Sequence, residues 1–154
     1  MELKTKIDAA DGQQDLTITR EFELPVELLF KAYEEPAIVE QWMGTKVLKL
    51  ENKKYGGFSF ETTDPKGNTF GMSGTIHEFR QNESITRTFE MANSPFSVQL
   101  EFLQFESLSA DTSKLTMHII YKSNDHRDLM LKMGMTKGIN MAHNRLQETV
   151  NKLK

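Results

Sequence analysis

The sequence predicts an α+β fold: a curved antiparallel sheet of about six or seven strands gripping one long C-terminal helix, with two short helices after the first strand. The first observation is the run from Asp125 to Lys154, where Leu131, Met135, Ile139, Ala142, Leu146, Val150 and Leu153 recur every three or four residues and make an apolar helical stripe. The second is the series of extended runs, separated by turn chemistry, that fills residues 45–122. The third is size: 154 residues suffice to bury roughly 70% of the unfolded surface in a single core. A stripe this long needs an apolar partner, and a curled series of hairpins supplies one.

Residues 1–13 show no period and contain Asp11-Gly12, so they read as a loose lead before a single domain over 14–154. From Asp15 to Leu24, Leu16, Ile18, Arg20, Phe22 and Leu24 alternate with Thr17, Thr19, Glu21 and Glu23, the period of a half-buried strand. Pro25 suits the first position of a short helix whose apolar face is Val26, Leu29, Phe30 and Tyr33. Pro36 opens a second, through Ile38, Val39 and Trp42, which Gly44 is placed to end. Asp64-Pro65-Lys66-Gly67 spells a type I turn joining strands 57–63 and 69–80. Gln81-Asn82-Glu83 separates the latter from strand 84–91, and Asn93-Ser94-Pro95 separates that from strand 96–105. A polar loop over 108–113 leads to the strand 114–122. Gly56, Gly57, Gly71 and Gly74 fall in or beside strands, where glycine marks a bulge or tight bend. Asn124 or Asp125 caps the last helix, Asp128 adds charge to its first turn, and Lys152 and Lys154 sit at the other end, complementing its dipole.

Composition narrows the function classes. Lys and Arg number 19 against 22 Asp and Glu, for a formal charge of −3, and no basic cluster interrupts the mixture, so no nucleic-acid role is expected. With no cysteine, a disulfide framework, a thiolate metal site and a cysteine nucleophile are all excluded. The opening residues are polar and no apolar run approaches the ~18 residues that cross a bilayer, so a monomeric cytoplasmic protein without a membrane span is expected.

The chain resembles the START-like (SRPBCC) superfamily and, within it, the family related to the activator of the ninety-kilodalton heat-shock protein's ATPase. Arg20-Glu21-Phe22 leading to Pro25-Val26-Glu27, Pro36 through Gln41-Trp42-Met43, Gly56-Gly57-Phe58 and Gly74-Thr75-Ile76-His77-Glu78 carry the likeness. On the last helix it continues in Gly134-Met135-Thr136-Lys137-Gly138-Ile139 and Asn144-Arg145-Leu146. Met43 and Ile139 depart from it, since a second aromatic and a tryptophan are usual there. The resemblance implies the helix-grip, birch-pollen-allergen-like fold, with an elongated cavity between sheet and helix. It spans several functions: carriers of small apolar molecules, stress-related proteins, a co-chaperone domain that contacts the chaperone and, more distantly, enzymes such as polyketide cyclases.

Candidate site residues come from side chains suited to that space. Met130, Met133, Met135 and Met141 cluster on the last helix, and Met72, Met91 and Met117 stand on strands. Methionine's unbranched, polarizable chain repacks around ligands of different shape, although it equally fills an irregular core. Glu78, Arg87 and Tyr121 are the polar strand residues to consider as ligand anchors, because an inward charge must be paired to be tolerated; a surface position is the safer reading of each, since a one-residue register error reverses the face. Trp42 lies where the resemblance places one end of the cavity, with core packing as the alternative. His77, His118, His126 and His143 show neither helical metal-pair spacing nor a zinc motif, and no serine elbow, phosphate-cradling loop or dinucleotide fingerprint is present. No metal, cofactor or catalytic residue is therefore assigned. His118 and His143 read as hydrogen-bonded edge residues. The expected function is noncatalytic binding of a small apolar molecule, lipid-like or aromatic, in a stress-related role. A protein-interaction module contacting a chaperone is the first alternative, and a cyclase- or hydrolase-like enzyme the second.

Overall fold

The computed structural model describes residues 4–92 and 97–154. Its elements are β1 (Lys6–Asp8), β2 (Asp15–Phe22), α1 (Val26–Glu34), α2 (Pro36–Met43), β3 (Lys46–Leu50), β4 (Gly57–Thr63) and β5 (Thr69–Arg80). They continue with β6 (Ser84–Met91), β7 (Gln99–Ser107), β8 (Ser113–Ile120), α3 (Asn124–Lys132) and α4 (Met135–Asn151). The eight described strands form one open antiparallel sheet in the order β1-β2-β8-β7-β6-β5-β4-β3. The fold is α+β, a curved sheet holding helices, as the sequence predicts. The separator Asn93-Ser94-Pro95 and the strand start at Phe96 lie outside the described residues.

Alternation in the strands decides which face is inner. Leu16, Ile18, Arg20 and Phe22 of β2 are buried, and their partners Ile119, Met117, Leu115 and Ser113 on β8 are buried with them. β7 adds Glu101, Leu103 and Phe105, so the inner face is one continuous sheet of side chains. Onto it pack Leu29 and Phe30 of α1, Val39 and Trp42 of α2, and Leu146 and Val150 of α4. Phe30 sits edge-on to Phe79 and Phe105 at 5.3 and 4.9 Å, a geometry that adds to plain burial. Among the described residues no helix is long and apolar enough to cross a membrane.

The turns follow their chemistry. Gly67 N–H donates to the Asp64 carbonyl at 3.0 Å, and Gly67 takes φ +85° to return the chain into β5. Gly44 ends α2 at φ +62°. At Gly74 a Cβ would run into the Thr88 carbonyl oxygen and would lie 2.7 Å from the Phe58 ring, so only glycine lets that ring cross β5.

Five readings need correction. Residues 1–13 are not wholly a lead, because Lys6–Asp8 pairs with β2 and Thr5 N–H donates to Asn140 Oδ1 at 3.0 Å. The sheet gains β3 as a further edge strand, so there are eight strands among the described residues. The C-terminal helix is two helices: Gly134, at φ +84°, stops α3 and starts α4. Left-handed backbone cannot continue a right-handed helix, but the chain restarts with the same face inward, so Leu131 and Met135 both pack on the core across the break. Finally, the cap is Ser123, whose Oγ accepts from His126 N–H at 3.2 Å, and Asp125 is the acid in the first turn. Leu153 lies past the end of α4 and is exposed.

Candidate functional site: a buried ion pair on the inner face

Arg87 on β6 and Glu101 on β7 are register partners on the inner face. Arg87 Nε donates to Glu101 Oε1 at 2.9 Å, and the two side chains are only 12% and 5% exposed. Removing two charges from water is costly, so a buried pair is retained only where geometry or function compensates. Gln99 Nε2 donates to the other carboxylate oxygen at 2.6 Å. The guanidinium carbon lies 5.1 Å from the Phe58 ring centre and 5.9 Å from that of Phe89. Aromatic faces stabilise a desolvated cation, and Phe58 reaches its place because residue 74 is glycine.

Two phenols border the pair. Burial pushes Tyr33 well above the ordinary phenol range; Arg87's charge opposes that shift and Glu101's adds to it. Burial likewise raises Tyr121, with Glu101 adding to the effect and Arg127 opposing it. Both are neutral hydroxyls at physiological pH. Tyr121 Oη donates to the Met135 sulfur at 3.6 Å, linking β8 to the start of α4. A thioether is a weak acceptor for a buried phenol.

The pair's own neighbours Phe58, Ile76 and Ile119 are buried, whereas Met72 on β5, Phe89 on β6, Met130 and Leu131 on α3, and Met135 and Ile139 on α4 pack against the core while only partly buried. At the opposite end of the inner face, Phe22, Leu24, Leu29, Phe30, Leu146 and Val150 are completely buried. Packing therefore loosens toward the α3–α4 junction.

The candidate residues separate on this map. Arg87, Tyr121, Met117, Met72, Met130 and Met135 all belong to the inner layer or its rim. Glu78 does not join Arg87. The β5–β6 register shifts between Ile76 and Glu78, so Ile76 pairs with Arg87 while Glu78 pairs with Thr86 on the other face. There Glu78 accepts from Ser84 Oγ at 3.0 Å and lies 3.7 Å from Arg80. Met133 is 66% exposed, because two residues from both Leu131 and Met135 it falls on the side opposite the inward stripe. Trp42 is core: its indole N–H donates to the Ala32 carbonyl at 2.7 Å and its ring packs edge-on against Tyr33. Glu101, the partner of Arg87, was not among the expected residues. Alternation from Leu103 and Phe105 back to 101 is the signal that points to it.

A second polar cluster is structural. His143 is buried rather than an edge residue, and burial, helped by Arg20's charge, lowers its pKa to about 3. Arg20 Nη1 donates to Thr5 Oγ1 at 3.4 Å, and that hydroxyl is hydrogen-bonded to His143 Nδ1 at 2.7 Å. Arg20 also donates to Asn140 and Asn144, tying β2 to α4. His118 does stand at a half-exposed position, 2.7 Å from Asp15. Among the described residues no group of three or more His, Asp or Glu side chains could hold a metal ion.

The curved sheet, the two short helices and the gripped C-terminal segment define a START-like, helix-grip protein. The chain belongs to the family described as Activator of Hsp90 ATPase homolog 1-like protein, whose profile matches residues 23–151. No curated protein matches its sequence. Among solved structures it is similar to the solution structure of a protein from Arthrobacter aurescens, with a TM-score of 0.87 at 16% identity, covering 96% of this chain and 91% of that one. A crystal structure from Rhodobacter sphaeroides gives 0.83 at 21% identity, covering 97% and 100%. One from Nitrosomonas europaea gives 0.79 at 22% identity, covering 95% and 99%. At these identities the likeness is one of fold.

Proposed function

We propose that this protein binds a small, largely apolar molecule, lipid-like or aromatic, between the inner face of the sheet and the α3–α4 segment, without converting it chemically. The observation that carries this reading is the buried Arg87–Glu101 pair on an inner face that also carries the partly buried Met72, Phe89, Met130 and Met135. A core selected for stability alone favours apolar residues there, since replacing a buried pair by hydrophobic groups is often neutral or stabilising. A binding site instead needs a few fixed polar groups in an apolar lining, and Met72, Met117, Met130 and Met135 supply walls that adapt. The break at Gly134 supports the same reading, because it places a joint where the helix passes the loosest packing.

The protein-interaction reading draws on Leu129 and Met133, exposed and one turn apart on α3. The two readings separate in one titration. Flavonoid-like, fatty-acid and sterol compounds are added while amide and methionine-methyl NMR shifts and thermal stability are recorded. Ligand binding predicts saturable shifts at Met72, Met117 and Met135 with a rise in Tm, which any ligand of the native state must produce. A panel that leaves those methyls unmoved would remove the carrier reading and leave the α3 surface as the candidate.

A further inference from the structure

Resting on that ligand-binding reading, we infer that the polar group of the ligand is neutral and oxygen-bearing, a hydroxyl, phenol or carbonyl, and that the site rejects carboxylates. The groups facing the site set this preference. Arg87 spends its Nε hydrogen on Glu101, and among the described residues its two Nη nitrogens make no further hydrogen bond. Their hydrogens are left as donors for a ligand acceptor. Tyr121 is a second donor, satisfied among the described residues only by the Met135 thioether, which a ligand oxygen would outcompete. Glu101 Oε1 and Oε2 each accept one hydrogen bond, from Arg87 and Gln99, and each retains a lone pair for a ligand hydroxyl.

Charge then discriminates among oxygen-bearing groups. Arg87 is already compensated by Glu101 at 2.9 Å, so the pair carries no net charge. A carboxylate drawn to the Nη edge would sit beside the Glu101 carboxylate, and like charges juxtaposed out of water are strongly disfavoured. A cation meets the reverse difficulty at Arg87, which also occupies the faces of Phe58 and Phe89. The other buried cations do not change the balance. Arg127 is paired with Asp128 at 3.0 Å and donates to the carbonyls of Ala10 and Asp15. Arg20 stands four residues along β2 from Leu16, whose ladder runs through Ile119 to Glu101, and so lies roughly 13 Å along the strand direction from the pair. A neutral group that both accepts and donates fits every atom offered.

The test compares 2-naphthol with 2-naphthoate, which share an apolar body and differ in charge at pH 7.5. Binding is followed by methionine-methyl shifts in the wild-type protein and in Glu101→Gln, a substitution that keeps the shape and removes the negative charge. The wild type should bind the naphthol about tenfold tighter or more. Glu101→Gln should reverse that order, because Arg87 is then left uncompensated for an anion. Equal or tighter naphthoate binding by the wild type overturns the inference while leaving the carrier reading standing, as does an unchanged preference in a Glu101→Gln protein whose amide spectrum is native. Failure of both probes to saturate at the inner-face methyls overturns both. The wild-type comparison decides the matter even where the variant does not fold.

Discussion

His143 shows how one buried residue makes stability depend on pH. Its imidazole is enclosed by Phe22, Thr5 and the neighbourhood of Arg20, and it remains neutral down to about pH 3 in the folded chain. In the unfolded chain it takes up a proton near pH 6.5. Because the folded pKa is depressed, the unfolded state binds more protons between those limits. The contribution of His143 is thus complete above about pH 6.5 and is lost as pH falls, at up to about 1.4 kcal/mol per pH unit. Urea unfolding at pH 7 and pH 5 should show His143→Gln losing less stability than the wild type over that interval, whereas parallel losses would mean the imidazole titrates normally. The same scale shows what could be read beforehand at the binding site. Arg87 stands out in sequence as a charge on a strand; alternation with Leu103 and Phe105 puts Glu101 on the inner face, but that it partners Arg87 emerges only with the register to β6. Glu78 takes the surface alternative for the complementary reason: a bulge at His77 reverses the face of every later residue in β5, and no residue type near it announces that shift.

Among the elements, the α3–α4 junction tests most about how the chain folds over the sheet. Gly134 and Gly138 are four residues apart, yet their backbones differ: Gly134 has φ +84°, and Gly138 lies within α4 with open space where a Cβ would go. Gly134→Ala should cost roughly 1–2 kcal/mol, the penalty for forcing an L residue into the left-handed region. Gly138→Ala should instead stabilise by about 0.5–1 kcal/mol through helix propensity. Denaturant melts giving both substitutions the same stabilising sign would restore a single continuous helix. Strand periodicity and turn chemistry made β4, β5 and β6 legible to the residue, since Asp64-Pro65-Lys66-Gly67 and Gln81-Asn82-Glu83 bracket them. The helix break was hidden because restarting on the same face preserves the spacing between Leu131 and Met135. β1 was hidden for another reason. Three residues are too few to show a period, and what secures them is distant, namely the ladder to β2 and the Thr5 contacts to α4.

At the scale of the whole molecule, the inner face carries a tightly packed core at one end, a buried ion pair, and partly buried side chains near the α3–α4 junction. α1, α2 and the C-terminal half of α4 cover the first end, and Arg145 Nε on α4 donates to the Trp42 carbonyl at 3.0 Å to lock those helices together. On the proposed reading, stability and binding reside in different residues of one sheet. The central claim is that the Arg87–Glu101 pair is kept for a ligand rather than for the fold. Its most direct measurement is a double replacement, Arg87→Met with Glu101→Leu, followed by urea unfolding and naphthol binding on the same protein. The account predicts that the double variant is as stable as the wild type or more so, while each single variant loses about 3–5 kcal/mol by stranding a buried charge. It also predicts that binding at the inner-face methyls falls at least tenfold, about 1.4 kcal/mol. A double variant that is several kcal/mol less stable, or that binds the naphthol as the wild type does, would contradict it.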